Sequence, residues 1–458
     1  MINVLFIAVE FPPLNTTGGK RPLKFVKYLR GFGINPIVLT VDETGGMKTF
    51  NSVKSSFGAK PDYGLLRELP AEVTVYRVPI DFPKFQCSRR RKRSLRTYFK
   101  VTDGVAEAWE KNVMAEIGKI IGLHKPQAVY VTYPPSSAPS LAIKISKKSR
   151  LPIILDMRDA FSRWCTKPYR SRLHYRLAHN LEEKWFRESA CVIGITKTLA
   201  DDFAELHPGI DKNKFHVIPN GFDDETVLTV DECRVDPLGK KGHFDIGYLG
   251  SFYYSPERWA GMFTPWWKKK GREMLHYTPR REDTLYKTPL YFFKALNKLF
   301  ERRGDLADKV GVHFVGENPQ WLLDMVEDNG LLRNCFFHGQ VGYGESLSMG
   351  SSFDALLTTG VKIENFADYC MPSKLFDYVS LLKPIIGFVF EGEQKEFIEN
   401  SGMGFICNPD DTAGSSNVLE KIIDGGYSLR PNKAYLEKFT RKNLTGRLAE
   451  LILDKKRK

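Results

Sequence analysis

Phe215-His216-Val217-Ile218-Pro219-Asn220-Gly221-Phe222 ends one series of short apolar runs, and Asp245-Ile246-Gly247-Tyr248-Leu249 begins another. Between them, residues 223–242 are polar and carry Pro237, Gly239 and Gly242. This pause decides the fold. On either side of it, β-branched or apolar runs alternate with segments of helical period, and strands separated by helices make a parallel sheet covered on both faces. Ahead of the pause the predicted strands are Val4–Val9, Pro36–Val41, Val73–Val78, Ala128–Thr132, Pro152–Asp156, Cys191–Thr196 and Phe215–Ile218, with helices at Pro22–Phe32, Val105–Ile121, Pro139–Lys148, His174–Glu188 and Lys197–Leu206. After it come strands at Asp245–Leu249, Val310–Val315, Cys335–Phe337, Ala355–Thr358, Pro384–Val389 and Gly404–Cys407. Helices are expected there at Leu290–Arg302, Gln320–Glu327, Ser373–Leu382, Gln394–Asn400 and Ser415–Asp424.

The expectation is therefore two Rossmann-like α/β domains whose parallel sheets face a cleft. We assign residues 1–222 to a first domain, 223–242 to a linker, 243–428 to a second domain and 429–458 to C-terminal helices that return to the first domain. Ligands in such sheets sit at the strand C-termini, at a topological switch point. Arg258–Tyr286 breaks the rhythm. It holds Trp259, Trp266 and Trp267 among Lys268, Lys269, Lys270, Arg272, Arg280 and Arg281 without a clean period, as an insertion would.

A chain of 458 residues with 42% hydrophobic residues has ample core for two or three domains. The net charge of +14 favours anionic partners. Much of it is local: Phe82–Thr102 contains no acid but eight Lys or Arg residues among aromatics, so this segment and the insertion are either solvated loops or contacts for an anionic membrane surface. No nucleic-acid motif accompanies the charge, so nucleic acid is not expected as a partner. Seven cysteines without CxxC spacing fit a reducing compartment. The opening MINVLFIAVEFPP reads as a buried strand and not a signal peptide, and no run approaches the ~20 apolar residues of a membrane span. The expected location is cytoplasmic, with a peripheral place on the inner membrane face as an extension of it.

Two loop-to-helix junctions carry the chemistry. After the first strand, Asn15-Thr16-Thr17-Gly18-Gly19-Lys20-Arg21-Pro22 opens a helix. Adjacent glycines let the backbone approach a ligand, and free N–H groups at a helix start favour phosphate. The segment lacks both GxGxxG and GK[ST], which argues against an NAD-dependent dehydrogenase and a P-loop; the plain alternative is an ordinary turn. In the second domain, Met371-Pro372-Ser373-Lys374-Leu375-Phe376-Asp377-Tyr378 starts another helix, with Asp377 one turn in, suited to the vicinal hydroxyls of a ribose or, alternatively, to solvent. His174, His179, His207 and His338 form no HExxH or HxH pattern, so no metal and no cofactor are expected.

These residues resemble the GT-B glycosyltransferases of family 4, of the surface-polysaccharide type. The likeness runs through FPP…GG.RP…YL…G at the start, Tyr133–Ser137, Leu155–Asp159, Val217–Asp223, Tyr248–Ser251, Phe314–Gly316, Phe337–Val341, Phe353–Leu356, Pro372–Tyr378 and Lys438–Leu448. The resemblance implies a transferase that moves a sugar from a nucleoside diphosphate donor, UDP or GDP, to a glycan or lipid-diphosphate acceptor, with retention. It implies donor contacts at Gly18, Gly19, Gly250, Gly316, Val341, Pro372, Ser373, Lys374 and Asp377. The family's phosphate-binding lysine falls on Lys287, and Arg281 is the nearest candidate for its arginine partner. Arg21, Tyr133, Ser136 and Arg158 fall on the acceptor side. Asp159 is the candidate for orienting or deprotonating the acceptor hydroxyl, or else pairs with Arg158.

The chain departs from the family where a glutamate is expected: Tyr369 stands there, with Asp368 beside it. This motivates a second reading, a catalytically degenerate subunit that binds nucleotide-sugars for a partner.

Overall fold

The computed structural model describes residues 1–14, 16–42, 61–80, 98–163, 168–223, 225–235, 238 and 242–456. Most of the basic stretch Phe82–Thr102 (82–97) lies outside the described residues.

In chain order the first domain runs β1 (Ile2–Ile7), α1 (Thr17–Leu29), β2 (Ile34–Val41), β3 (Thr74–Val78), α2 (Val105–His124), β4 (Ala128–Tyr133), α3 (Ala138–Ser149), β5 (Ile153–Met157), α4 (Arg172–Glu188), β6 (Cys191–Gly194), α5 (Lys197–Leu206) and β7 (Phe215–Val217). Its strands are all parallel, in the order β3-β2-β1-β4-β5-β6-β7. The second domain runs β8 (Phe244–Leu249), α6 (Pro256–Phe263), α7 (Leu290–Arg302), β9 (Val310–Val315), α8 (Gln320–Asp328), β10 (Cys335–Phe337), α9 (Tyr343–Ser352), β11 (Ala355–Thr359), α10 (Ser373–Ser380), β12 (Ile385–Phe388), α11 (Glu393–Ser401), β13 (Gly404–Cys407) and α12 (Thr412–Asp424); α13 (Arg441–Lys455) follows. Its parallel sheet is ordered β10-β9-β8-β11-β12-β13. Counted from its own first strand, this repeats the order of the first sheet. Each domain therefore has a switch point where its first and fourth strands adjoin, between β1 and β4 and between β8 and β11.

The period of two along β1 divides the first core. Leu5 and Ile7 pack with Trp109, Val113 and Ile117 of α2, while Val4 and Phe6 pack with Val26 and Leu29 of α1 and with Leu448 and Ile452 of α13. The last helix thus completes the first domain. In the second domain, α7 buries Phe292, Leu296 and Leu299 against Ile246, Tyr248 and Val312. Each such side chain contributes roughly 1.5–3 kcal/mol of burial.

Helix α9 (Tyr343–Ser352) was not expected, β1 lies two residues earlier than expected, and two further stretches differ. The first helix begins at Thr17, not Pro22, because Thr16 caps it by accepting the Gly19 N–H at 2.9 Å. Pro22 sits inside the helix, so the Gly18 carbonyl has no N–H four residues on to bond. The insertion is also less irregular than its sequence: Ser255 caps α6, Pro256 occupies its first turn, and Trp259 Nε1 donates to Asp283 Oδ1 at 2.7 Å.

The chain crosses between domains twice, and the crossings run side by side. Phe222 N donates to Phe439 O at 3.2 Å, and Arg441 N donates to Phe222 O at 2.9 Å. A Cβ on Gly221 would lie 2.1 Å from Phe439 O, so only glycine lets these strands touch. The insertion makes a further bridge, with Tyr169 and Tyr277 exchanging backbone hydrogen bonds of 2.8 and 3.0 Å.

Candidate functional site

The wall supplied by the first domain is built around Gly18. Thr16 Oγ1 donates to Glu10 Oε2 at 2.9 Å. A Cβ on Gly18 would lie 1.8 Å from Glu10 Oε2 and 2.3 Å from Arg158 Nη1. Arg158, just past β5, is held by Thr132 Oγ1 and Tyr133 O, each 3.1 Å from Nε, and by Pro134 O, 2.7 Å from Nη2. Nη1 is left turned toward Gly18. Asp159 is half-buried beside it. Burial pushes its carboxyl above the usual range, Arg158 and Lys287 pull against that shift, and Glu10 and Glu282 add to it.

Lys287 faces this wall from the second domain, at the end of the turn Thr284–Lys287. Its Nζ lies 3.8 Å from Glu282 Oε2 and 4.0 Å from Cys370 Sγ. Burial alone would lower its pKa, but Cys370, Glu282, Asp368 and Asp159 outweigh that and hold the ammonium charged. Glu282 is fully buried. Its Oε1 accepts from the Tyr369 hydroxyl at 2.8 Å, while Oε2 has no hydrogen-bond partner among the described residues.

The floor lies where α10 begins at Ser373, preceded by Pro372. Asp377 Oδ1 accepts from the Tyr343 hydroxyl at 2.7 Å, and the Lys20 ammonium stands 3.3 Å above the Tyr343 ring. Burial pushes Lys20 down to about 8 against the opposing pull of Asp377. Lys374, 3.5 Å above the Tyr248 ring, is pushed down by burial to about 7. Burial likewise raises the Asp377 carboxyl, against Tyr343, Lys20 and Arg441. Lys20, Asn220, Tyr343, Ser373, Asp377 and Arg441 line one recess here. A second, more open recess lies along Gly316–Pro319 and Gly339–Gln340, with half-buried Val341 next in the chain. Gly250 has a φ of +102°, and a Cβ on Gly316 would lie 2.2 Å from its carbonyl, so the ends of β8 and β9 touch through bare backbone.

Several assigned residues stand differently. Arg281 is exposed and turned away from Lys287; in the short ladder Glu282–Asp283 with Lys362–Ile363, alternation sends Glu282 inward instead. Arg21 is buried and its donors are spent: Nε and Nη2 grip Asp156 at 2.8 and 2.9 Å, Nη2 also reaches Ile218 O at 2.8 Å, and Nη1 reaches Pro219 O at 2.7 Å and Asn220 Oδ1 at 3.5 Å. It clamps α1 to β5 and the crossing, with no N–H left for an acceptor. Tyr133 is 2% exposed, its ring against Phe161 and Trp185, so only its backbone serves the site, through Arg158. Ser136 Oγ donates to Asp103 Oδ2 at 2.9 Å. Asp368 does not replace the missing glutamate: it is buried and accepts from Cys370 N, Val361 N and Gln394 Nε2 at 2.9, 3.1 and 3.0 Å.

Glu10, Lys20, Glu282, Tyr343 and Arg441 were not singled out from the sequence. Only Glu10 and Lys20 carried a local signal, an acid closing a buried strand and a lysine beside the glycine pair.

Residues 17–221 match the family model of the glycosyl transferase 4-like domain. No curated protein matches the chain. Among solved structures, Anabaena Alr3699/HepE in complex with UDP is similar at 14% identity and a TM-score of 0.55, covering 99% of this chain and 100% of that one. The same Anabaena protein has been solved with UDP-glucose, at 13% identity. The lipopolysaccharide outer core galactosyltransferase WaaB is similar at 12% identity and a TM-score of 0.56, covering 99% of this chain and 100% of that one. WaaG, a glycosyltransferase involved in lipopolysaccharide biosynthesis, gives 14% and 0.52, covering 98% and 95%. At such identities the likeness speaks for the fold.

Proposed function

We propose that this chain, a glycosyltransferase of the GT-B fold whose residues 17–221 form a glycosyl transferase 4-like domain, moves a hexosyl group from a UDP-sugar to a hydroxyl of a glycan or lipid-linked acceptor during surface-polysaccharide assembly. The observation that carries this reading is the opposition of Lys287 and Arg158 across the cleft beside Gly18, with the start of α10 close to Asp377 below. A diphosphate held there meets two cations and free backbone amides, which offset the negative charge that builds as the glycosyl–oxygen bond breaks. UDP is favoured over GDP because the Anabaena structure holds it. Gly250, Gly316 and Val341 then border the base, and Asp377 the ribose.

Asp159 is the group we assign to the acceptor. With its pKa raised, it takes up the proton of the acceptor hydroxyl as the new bond to the anomeric carbon forms and the diphosphate leaves. Retention of configuration follows from the family resemblance. The diphosphate charge is met by protein groups, so we assign no metal or cofactor to the transfer. Release of UDP from a panel of UDP-sugars and GDP-mannose, with and without acceptor lipid, tests the reading; a protein that binds none of these donors contradicts it.

Glu282 favours the second reading, a degenerate binding subunit, because a buried acid beside Lys287 weakens its pull on phosphate. Such a subunit would bind donor and release no UDP even on prolonged incubation, whereas an active transferase hydrolyses it slowly.

Among the described residues no helix is long and apolar enough to cross a membrane. We assign a peripheral place on the cytoplasmic membrane face through the insertion, which exposes Trp266 and Trp267 at 67% each beside Lys268, Lys270 and Arg272. Replacing both tryptophans by serine should release the protein from anionic vesicles in a sedimentation assay.

A further inference from the structure

Outside the cleft, α4 and the residue that ends α5 bring together three groups that sequence spacing left apart. His179 and Glu183 stand one turn apart on α4, and His207 caps α5; one ligand atom from each lies within 4.8 Å of the others. The His179 and His207 rings are 4.6 Å apart. His207 is 2% exposed, and its Nδ1 has no hydrogen-bond partner among the described residues.

The proton on His207 can be placed. Its Nε2 lies 3.0 Å from Glu182 Oε2, a buried carboxylate that also accepts from Phe161 N at 3.3 Å, Ser162 N at 3.1 Å and the Ser162 hydroxyl. A carboxylate so used only accepts, so in the neutral ring Nε2 carries the hydrogen and Nδ1 presents a lone pair. A buried lone pair without a donor is costly unless something binds it. A carboxylate behind one ring nitrogen, with the other ring nitrogen facing further ligands, is the arrangement that orients a metal-binding histidine.

We propose that His179, Glu183 and His207 bind a divalent transition-metal ion, with Zn2+ the best fit, and that Glu182 fixes the His207 tautomer from behind. Two imidazoles and one carboxylate suit zinc and leave a fourth position for water. Magnesium and calcium call for oxygen ligands and do not suit the set. A tetrahedral site with bonds of ~2.1 Å needs ligand atoms about 3.4 Å apart, so Glu183 must turn inward from its exposed ion pair with Arg187. No metal was expected at His179 or His207, because neither forms an HExxH or HxH motif; the site joins two helices, and its third ligand lies far along the chain. Its place in the molecule gives it a use. Glu182 holds the backbone of Phe161 and Ser162, two and three residues past Asp159, so an ion here would stiffen the loop that carries the proposed base.

Full-length protein stripped with a chelator should take up one equivalent of Zn2+ in competition with a chromophoric chelator. Its Tm should rise with Zn2+ and stay unchanged with Mg2+. His179→Ala and Glu183→Gln, both at half-buried positions, should each weaken Zn2+ binding at least tenfold while the metal-free proteins melt like the parent. Co2+ loading should give a visible absorption band that His179→Ala removes. His338→Ala serves as a control, because His338 and His313, hydrogen-bonded at 3.0 Å, are the obvious competing site. No stoichiometric uptake by the parent, uptake unaffected by His179→Ala, or loss caused by His338→Ala instead would each overturn the proposal.

Discussion

The two switch points share one strand order and are built by different means. In the first domain, side chains lock one another: Arg21 grips Asp156, Thr16 grips Glu10, and Arg158 is pinned to the Tyr133 and Pro134 carbonyls at the end of β4 before it reaches Gly18. In the second, the ends of β8 and β9 meet through glycine backbone, and the groups at α10 are ionisable residues displaced from their ordinary pKa values, Lys374 down and Asp377 up. Topology puts a crevice in both places, but only residues decide its task. The first wall is braced side chain to side chain, with the Arg158 Nη1 turned to Gly18 and Asp159 displaced upward by burial beside it. The second holds charges that burial disfavours until a ligand compensates them.

Replacing the second wall's cation should have the largest effect. Lys287→Ala should lower transfer by ~10²–10³ or more, as the loss of a pre-aimed electrostatic donor does. It also leaves Glu282 buried beside a void. Lys287→Ala combined with Glu282→Gln should therefore recover the lost Tm without recovering turnover, and recovery of both would assign Lys287 to the fold alone.

On the first wall, Asp159→Asn should cost roughly 10² in kcat, the lower end for a general base, with donor affinity unchanged. Its stability effect has the opposite sign. A folded-state carboxyl raised above its unfolded value penalises the native state increasingly as pH rises past the unfolded pKa and in full above the folded one, so the variant should melt higher than the parent at pH 7 and converge with it in acid. Melting curves at pH 4 and 7 check this.

Gly18→Ala comes next. Its methyl would meet Glu10 and Arg158, and displacing them should cost about 1–3 kcal/mol of stability and about tenfold in kcat/KM. The smallest effect is expected from pH alone. Lys374 and Lys20, pushed down to about 7 and 8, lose charge as pH rises, and an anionic donor restores it. UDP binding should therefore take up protons at pH 8 and few at pH 6, measured by calorimetry in buffers of different ionisation enthalpy. The free protein behaves the other way: unfolded lysine stays protonated to ~10.4, so stability should rise with pH between about 7 and that value.

What could be seen in the sequence was what is local. Lys197–Leu206, Leu290–Arg302, Val310–Val315, Cys335–Phe337 and Gly404–Cys407 span the residues expected of them, because run length and i,i+4 spacing are properties of a short window. The start of α1 was misjudged because Pro22 resembles a first-turn proline while the true cap, Thr16, precedes two glycines that resemble a loop. The site was harder. Whether Arg281 or Glu282 points inward depends on pairing with Lys362–Ile363 far along the chain. Arg21 looks like a ligand contact until it meets Asp156, 135 residues away. Partners of that kind leave no period and no motif.

The central claim is that this cleft holds a nucleoside diphosphate with its phosphates against Lys287. Titration calorimetry with UDP and with uridine, on the parent and on Lys287→Ala, tests it most directly. The account predicts that the substitution weakens UDP at least tenfold and leaves uridine as it was. Equal binding of UDP by both proteins, or none by either, would contradict it.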